Sequence, residues 1–285
     1  IEQLDIAVTA AETMADKKVD SAYMTITGDH IRCMNTQGAI ALNRNKANGT
    51  ISNDPISQRD INKVLELTQG IALPPDRDIL HTIPQEFIVD TLEKIENPIG
   101  LSGRRLEGHV HLVTASTSGM ENLIESAEEL GININGLVFK PLASAIPTLT
   151  KDEMKLGVSL IDIGSTTTSI AVFNEGAVRH SAVIPVGSSS ITNDIAVMLR
   201  ISIEEAEKIK IKYASAKASL SSQKLEFEIP NSEDNQMISE NELSQYVEAR
   251  MEEIFQLALN EIKRGGIDNN LTYGGKLFVG AKKLD

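Results

Sequence analysis

The sequence predicts an α/β protein with two lobes, and three observations lead to this fold class. Apolar residues make up 41% of the chain but aromatic ones only 4%, so the core must be mainly aliphatic. Segments that alternate like strands are interspersed with segments of helical periodicity. The 285 residues also reach the size, about 250 to 300 residues, at which single cores stop growing. We therefore expect two α/β lobes, joined near residues 141–158.

The first quarter of the chain predicts a helix and then strands. Apolar residues recur at helical spacing in IEQLDIAVTAAETMA, and SAYMTITG and GAIALN then alternate as strands do. The stretch DHIRCMNTQG is expected to separate those two strands, and NRNKANGTISNDP is expected to form a loop.

A capped helix and two longer strands follow. Ser57 and Asp60 have the spacing of a capping box, and Gly70 with the prolines after it ends the helix. DILHTIPQEFIVD and RLEGHVHLVTA then read as strands, so residues 21–114 predict strands, a helix, a strand and a strand.

The middle of the chain predicts a helix and a β-meander. The helix ends at Gly131, and the short strand GLVFK and the segment PLASAIPTL come after it. LIDIGSTTTSIAVF, residues 160–173, then reads as a hairpin, and AVRHSAVIPVG supplies a third strand.

Helices dominate the last third. Ser188 introduces one helix, and Ser202 with Glu205 caps a second that runs to about Tyr213. The strand KLEFEIP precedes a long amphipathic helix that ends at Gly265 and Gly266.

Composition excludes several classes of function. A formal charge of −13 without a basic run disfavours nucleic acid as a partner. The single cysteine, Cys33, excludes an intramolecular disulfide, and the five histidines form no metal-ligand pattern. Without an apolar run of about 20 residues or a signal-like start, we expect a soluble chain that is not exported. Because it opens without Met in a helical pattern, we also expect it to begin inside a larger protein.

The hairpin tip DIGSTTTS has the chemistry of a phosphate site. Backbone N–H groups and hydroxyls that converge at a turn of small residues hold phosphate, and Asp162 before it would hold Mg²⁺ through water. The alternative is a plain β-hairpin whose Thr residues satisfy strand propensity. The Gly-Ser turn in VIPVGSSSITNDIA is suited either to an anion or to linking the domains.

These segments carry a family resemblance. LIDIGSTTTSIAVF resembles the second phosphate loop of the actin, sugar kinase and heat-shock chaperone ATPase superfamily, which reads D-x-G-x-[GT]-[ST]-[ST]. Longer stretches, in the same order over essentially the whole chain, are similar to the FtsA family of bacterial cell-division proteins. They are ILHTIPQEFIVD, NPIGLSGRRLEGHVHLVTAS, FKPLASAIPTLTKDEMKLGVSLIDIG, AVRHSAVIPVGSSSITNDIAVMLR and AEKIKIKYASA.

The resemblance implies an actin-like, ribonuclease H-like, two-lobed ATPase fold with an inserted strand-helix-strand-strand subdomain. The implied division is 1–20 and 113–158 for subdomain 1A, 21–112 for the inserted subdomain 1C, 159–190 and 265–285 for 2A, and 191–264 for 2B. Subdomain 1A would be incomplete, because the family's first phosphate loop has no counterpart here. The family's C-terminal membrane helix has none either.

The resemblance also implies residue roles in binding ATP and Mg²⁺. Implied for the second phosphate loop are Asp162, Gly164, Ser165, Thr166, Thr167 and Thr168, with Asp162 on the metal side through water. Gly187 would lie in the connecting loop, Glu207 and Lys210 near the adenosine sugar, and Gly280 in the adenosine motif. For Glu207 and Lys210 an exposed i,i+3 ion pair is the alternative.

Departures from the family pattern bear on activity. Ser165 and Thr166 stand where DIGGGTTD has glycines, and Ser169 replaces its final Asp. Thr166 would be strained if that position needed a positive φ. We expect ATP binding through hydroxyl contacts with at most slow hydrolysis, and no catalytic residue can be named.

The function that the resemblance implies is a polymerising protein that tethers the FtsZ ring to the inner face of the cytoplasmic membrane and recruits later division proteins. The FtsZ C-terminal tail would dock on 2B and filament neighbours on 1C, while membrane contact would need the absent C-terminal helix. The alternatives are a PilM-like pilus-assembly adaptor and a kinase or chaperone-type ATPase of the same superfamily.

Overall fold

The computed structural model describes residues 1–42, 44–45, 51–52, 54–229, 237–266 and 271–279. Its first half contains α1 (Glu2–Ala15), β1 (Ser21–Ile26), β2 (Arg32–Ala41), β3 (Arg44–Asn45), β4 (Ile51–Ser52), α2 (Gln58–Thr68), β5 (Arg77–Val89), β6 (Leu92–Ile95), β7 (Arg105–Ser116), α3 (Thr117–Glu128) and β8 (Asn133–Phe139). Its second half contains α4 (Lys140–Thr148), α5 (Lys151–Leu156), β9 (Val158–Ile163), β10 (Thr168–Asn174), β11 (Ala177–Ile184), α6 (Ser188–Leu199), α7 (Ile203–Tyr213), β12 (Glu226–Glu228), β13 (Met237–Ser239), α8 (Glu240–Arg264) and β14 (Gly275–Val279).

An antiparallel sheet in the order β2-β7-β5-β6 forms the strand-rich block of the first half. Helix α2 packs on it and buries Ile61 and Val64 against Phe87 and Leu106. The capping box of Ser57 is present at the start of α2, as predicted. This block therefore has an apolar core of its own, on one face of its sheet.

The meander forms the second sheet, in the order β11-β10-β9-β14, with β14 parallel to β9. Its central strand β10 is buried on both faces. Ala171 and Phe173 pack with α4, while Ile170 and Val172 pack with α8. Burial on both sides explains why the strand is continuously apolar rather than alternating.

Helices α6, α7 and α8 enclose another core with the β12-β13 hairpin. Leu243 and Ile195 are fully buried at its centre. The capping box of Ser202 and Glu205 begins α7 as predicted.

Two sequence-based expectations were wrong, and one segment without a predicted structure proved to be a helix. Strand β2 begins at Arg32, within the stretch expected to separate two strands, because it pairs with β7 along its whole length. Residues 44–45 and 51–52 of the expected loop form a short ladder, and residues 46–50 lie outside the described residues. PLASAIPTL, for which no element was predicted, is helix α4, and Pro141 is tolerated in its first turn.

Candidate phosphate-binding site

The tip of the β9-β10 hairpin is a tight turn that begins where the ladder closes at Ile163 and Thr168. The amide of Gly164 donates to the carbonyl of Thr167 at 2.9 Å. None of residues 164–167 has a positive φ. Serine and threonine are therefore accommodated in place of the family's glycines without the strain considered for Thr166.

Several donors at this tip have no protein acceptor. The amides and hydroxyls of Ser165, Thr166 and Thr167 make no hydrogen bond within the part of the chain that the structure describes. Ser165 and Thr166 are exposed and Thr167 is half-buried. A turn with unused N–H and O–H donors fits the oxygens of a phosphate group.

Thr168 and Ser169 have different surroundings from the tip. The Thr168 hydroxyl is buried and donates to the carbonyl of Val186 at 2.8 Å, so it braces the connection that leaves β11. The Ser169 hydroxyl lies 2.8 Å from that of Thr27, just beyond β1. Neither hydroxyl is free for a phosphate.

Asp162 is fully buried, and each of its carboxylate oxygens already has a donor. The Lys140 Nζ donates to Oδ1 at 2.8 Å, and the Ser144 Oγ donates to Oδ2 at 2.7 Å. Both donors lie on α4, four positions apart and hence on one face of the helix. Sequence reasoning missed them, although that spacing after a strand was the available signal.

The turn at Gly187 is bonded to the hairpin tip. The amide of Ser188 donates to Gly164 O at 2.9 Å, and that of Ser189 donates to Ser165 O at 2.8 Å. A Cβ on Gly187 would lie only 2.5 Å from Ser165 O, so no larger residue fits this approach. Because the first amides of α6 are engaged in this way, the geometry favours the linking role of this turn over anion binding.

Glu207 and Lys210 connect α7 to the start of α6. The Lys210 Nζ lies 2.6 Å from Glu207 Oε2 and donates to Thr192 Oγ1 at 2.8 Å and to Ser188 O at 3.3 Å. The i,i+3 ion pair of the alternative is present, with the Lys210 side chain 15% exposed and the Glu207 side chain 38% exposed. The pair lies one hydrogen bond from the residues that hold the hairpin tip. Gly280 lies outside the described residues.

The donors at the tip suit a phosphate, and both carboxylate oxygens of Asp162 already accept hydrogen bonds. Three amides, three hydroxyls and the Lys140 ammonium lie at or beside the tip. Among the described residues, no group of three or more His, Cys, Asp or Glu side chains could hold a metal ion.

No helix among the described residues is long and apolar enough to cross a membrane.

Comparisons with known proteins agree with this architecture. The family profile described as "Cell division protein FtsA" matches residues 159–284, and the one described as "SHS2 domain inserted in FTSA" matches residues 28–114. The PilM protein of the solved PilM-PilN type IV pilus biogenesis complex superposes over 95% of this chain and 66% of that chain. Its TM-score is 0.56 at 14% identity. The predicted actin-like fold is confirmed.

Curated relatives identify the family. The chain is 37% identical to "Cell division protein FtsA" of Pseudomonas aeruginosa over 100% of its own length and 67% of the relative's. It is 35% identical to the proteins of that name from Neisseria meningitidis, over 98% of this chain and 66% of the relative, and from Borreliella burgdorferi, over 100% and 69%. The chain thus spans about two thirds of the length of these relatives. It belongs to the FtsA family of cell-division proteins.

Proposed function

We propose that the chain is an ATP-binding part of an actin-like protein that polymerises and tethers the FtsZ ring to the cytoplasmic membrane, where later division proteins are recruited. The observation that carries the nucleotide part is the hairpin tip. Three consecutive amides, at Ser165, Thr166 and Thr167, have no acceptor within the described residues. Of these three residues Thr167 is half-buried, and N–H groups away from water almost always find a partner, so a bound anion is the simplest completion of this turn.

The proposed division of labour follows the family. Residues 191–264 form the subdomain that receives the FtsZ tail, and residues 21–112 form the inserted subdomain that contacts filament neighbours. Residues 1–20 and 113–158, and residues 159–190 with 265–285, form the two subdomains around the nucleotide. The proposed membrane contact is at the inner face of the cell membrane at the division site.

A groove between α6 and α8 supports the docking of a peptide on 191–264. It has a volume of about 420 Å³ and is lined by Val197, Tyr246 and Arg250. The Val197 side chain is 79% exposed and Tyr246 is 46% exposed. Arg250 holds both carboxylate oxygens of Asp194, at 2.7 and 2.8 Å, so its guanidinium is fixed at the groove. Arg250 also pairs with Glu253, so its charge is already balanced by two acids, and the exposed apolar groups suit the apolar side chains of a short peptide.

Nucleotide binding is tested by titrating the purified protein with a fluorescent ATP analogue. In Ser165→Glu, a carboxylate at the tip repels the phosphates, and we expect at least a 10-fold loss of affinity. Ser118→Glu is the matched control. Ser118 is an exposed serine in the first turn of α3, where an acid interacts favourably with the helix dipole. Equal affinities of the two variants would contradict the proposed site.

Partner binding is tested with a fluorescent FtsZ tail peptide, with and without ATP. Val197→Asp places a charge in the groove, and we expect binding to weaken about 10-fold or more. Ile211→Asp changes an equally apolar residue of α7 that is 68% exposed, and we expect no effect. Absence of tail binding to the wild-type protein would refute the FtsZ assignment. Binding of a pilus-protein peptide instead would support the PilM-like alternative.

A further inference from the structure

We propose that the ammonium of Lys140 takes the place of a divalent cation beside the phosphate loop, so that this chain binds a nucleotide polyphosphate without requiring Mg²⁺. The inference rests on the proposed function, since it concerns how the same hairpin tip holds its ligand.

The carboxylate of Asp162 is buried and already hydrogen-bonded. The side chain has no exposed surface, and both of its oxygens accept a hydrogen bond, one from Lys140 and one from Ser144. A magnesium ion keeps several water ligands and demands near-octahedral geometry, so holding one through water needs room beside the carboxylate. The buried carboxylate of Asp162 has no such room. Its negative charge is already balanced by Lys140.

The ammonium of Lys140 lies beside the tip of the hairpin. The Lys140 Nζ lies 3.4 Å from where a Cβ on Gly164 would be, so it adjoins the first residue of the turn. The Lys140 side chain is 25% exposed, whereas its partner Asp162 is 0% exposed. An ammonium has three N–H donors, and only one is directed at Asp162. The others are available to a phosphate oxygen at the tip.

Lys140 lies at the start of a helix, which is an unfavourable place for a cation. Lys140 is the first residue of α4, where the helix dipole disfavours a cation. Local helix preference therefore does not explain a lysine at this position. The contacts that do are with Asp162 and, in our proposal, with the bound polyphosphate. A purely structural ion pair is the competing explanation, and it predicts an effect on stability alone.

The test compares nucleotide affinity in saturating Mg²⁺ and in excess EDTA, using a fluorescent ATP analogue with the purified protein. For the wild-type protein we expect the two dissociation constants to agree within about 3-fold. Lys140→Arg keeps the cation and should keep this ratio. The double variant Lys140→Met with Asp162→Asn removes both charges, so that no unpaired buried charge remains to unfold the chain. Its affinity in EDTA should fall at least 10-fold below the wild-type value, with partial recovery in Mg²⁺.

Two outcomes would overturn this inference while leaving the proposed function intact. One is wild-type binding that is 10-fold or more tighter in Mg²⁺ than in EDTA. The other is a folded double variant, verified by circular dichroism, that binds in EDTA as tightly as the wild-type protein. Absence of nucleotide binding under every condition would instead overturn the proposed nucleotide site, and this inference with it.

Discussion

We expect His111 to make the protein sensitive to mild acid, because its buried ring joins the two four-stranded sheets. The ring is 1% exposed, with Nε2 2.7 Å from Ser181 Oγ on β11 and Nδ1 2.6 Å from Asn35 Oδ1 on β2. Because an amide oxygen only accepts, Nδ1 carries the proton and the neutral ring satisfies both partners. Burial, with a smaller contribution from His180, lowers the pKa of His111 from 6.5 to about 4.

The loss of unfolding free energy at low pH follows from the linkage between protonation and folding. As the pH falls below 6.5, the unfolded chain takes up a proton on His111 that the folded protein does not accept until about pH 4. The folded state therefore loses about 1.4 kcal/mol per pH unit in this window. The loss is about 2 kcal/mol between pH 7 and pH 5, and about 3 kcal/mol once the pH falls below 4.

The assay is urea unfolding of the wild-type protein and His111→Gln at pH 7, 6 and 5. Glutamine offers a donor and an acceptor but does not titrate, so subtracting its unfolding free energy cancels most other ionisations. The wild-type advantage should shrink by about 2 kcal/mol from pH 7 to pH 5. If the two free energies instead stay parallel across this range, the assignment of acid sensitivity to His111 is refuted.

Three further substitutions or reagents probe the remaining structure. Gly187→Ala forces a Cβ to within 2.5 Å of Ser165 O, so a loss of about 1 to 3 kcal/mol in thermal unfolding and weaker nucleotide binding are expected. An unchanged melting temperature would contradict this close approach. Burial raises the pKa of the Cys33 thiol to about 11, so at pH 8 a thiol reagent should modify the native protein about 100-fold more slowly than the urea-unfolded chain. Similar native and unfolded rates would show that the thiol is accessible. Leu243→Ala should lower the unfolding free energy by about 2 to 5 kcal/mol, whereas Leu220→Ala, at a side chain that is 80% exposed, should change it by less than about 0.5 kcal/mol.

The sequence allowed most of the fold to be predicted, because the decisive signals were local. The capping boxes at Ser57 and Ser202 begin their helices in the structure as expected. Prediction failed where hydrogen bonding between distant segments determines the bounds of an element. Asn35 and Gly38 interrupt an otherwise strand-like pattern, yet pairing with β7 keeps both within β2. No element was predicted for PLASAIPTL, although packing on β9 and β10 stabilises a helix there that contains Pro147.

The phosphate site was predictable only in part for the same reason. The hairpin and its hydroxyl-rich tip could be recognised, since all their residues are contiguous. Lys140 and Ser144 were missed, because their i,i+4 spacing predicts only a shared helix face, and they lie 22 and 18 residues from Asp162, which they reach only when α4 packs on β9. The roles of Gly187 and Lys210 likewise depend on how α6 and α7 approach the tip. No local spacing in the sequence predicts how α6 or α7 packs against the tip.

The meander β9-β10-β11 lies between the candidate ligand site and the sheet β2-β7-β5-β6. Its packing limits how a ligand at the site can affect that sheet. Strand β10 is buried along nearly its whole length, so it cannot bend without disturbing close-packed neighbours on both faces. The inserted sheet, β2-β7-β5-β6, contacts β11 and the turn before it, through Lys94 to Glu175, Gln85 Nε2 to Val178 O at 2.7 Å and Asn35 Nδ2 to Arg179 O at 3.0 Å. Single hydrogen bonds of this kind contribute only about 0.5 to 1.5 kcal/mol each, less than deforming a packed core costs. A ligand at the tip would therefore act on the inserted sheet by moving the meander as a rigid unit and exchanging these hydrogen bonds, rather than by reshaping the sheet.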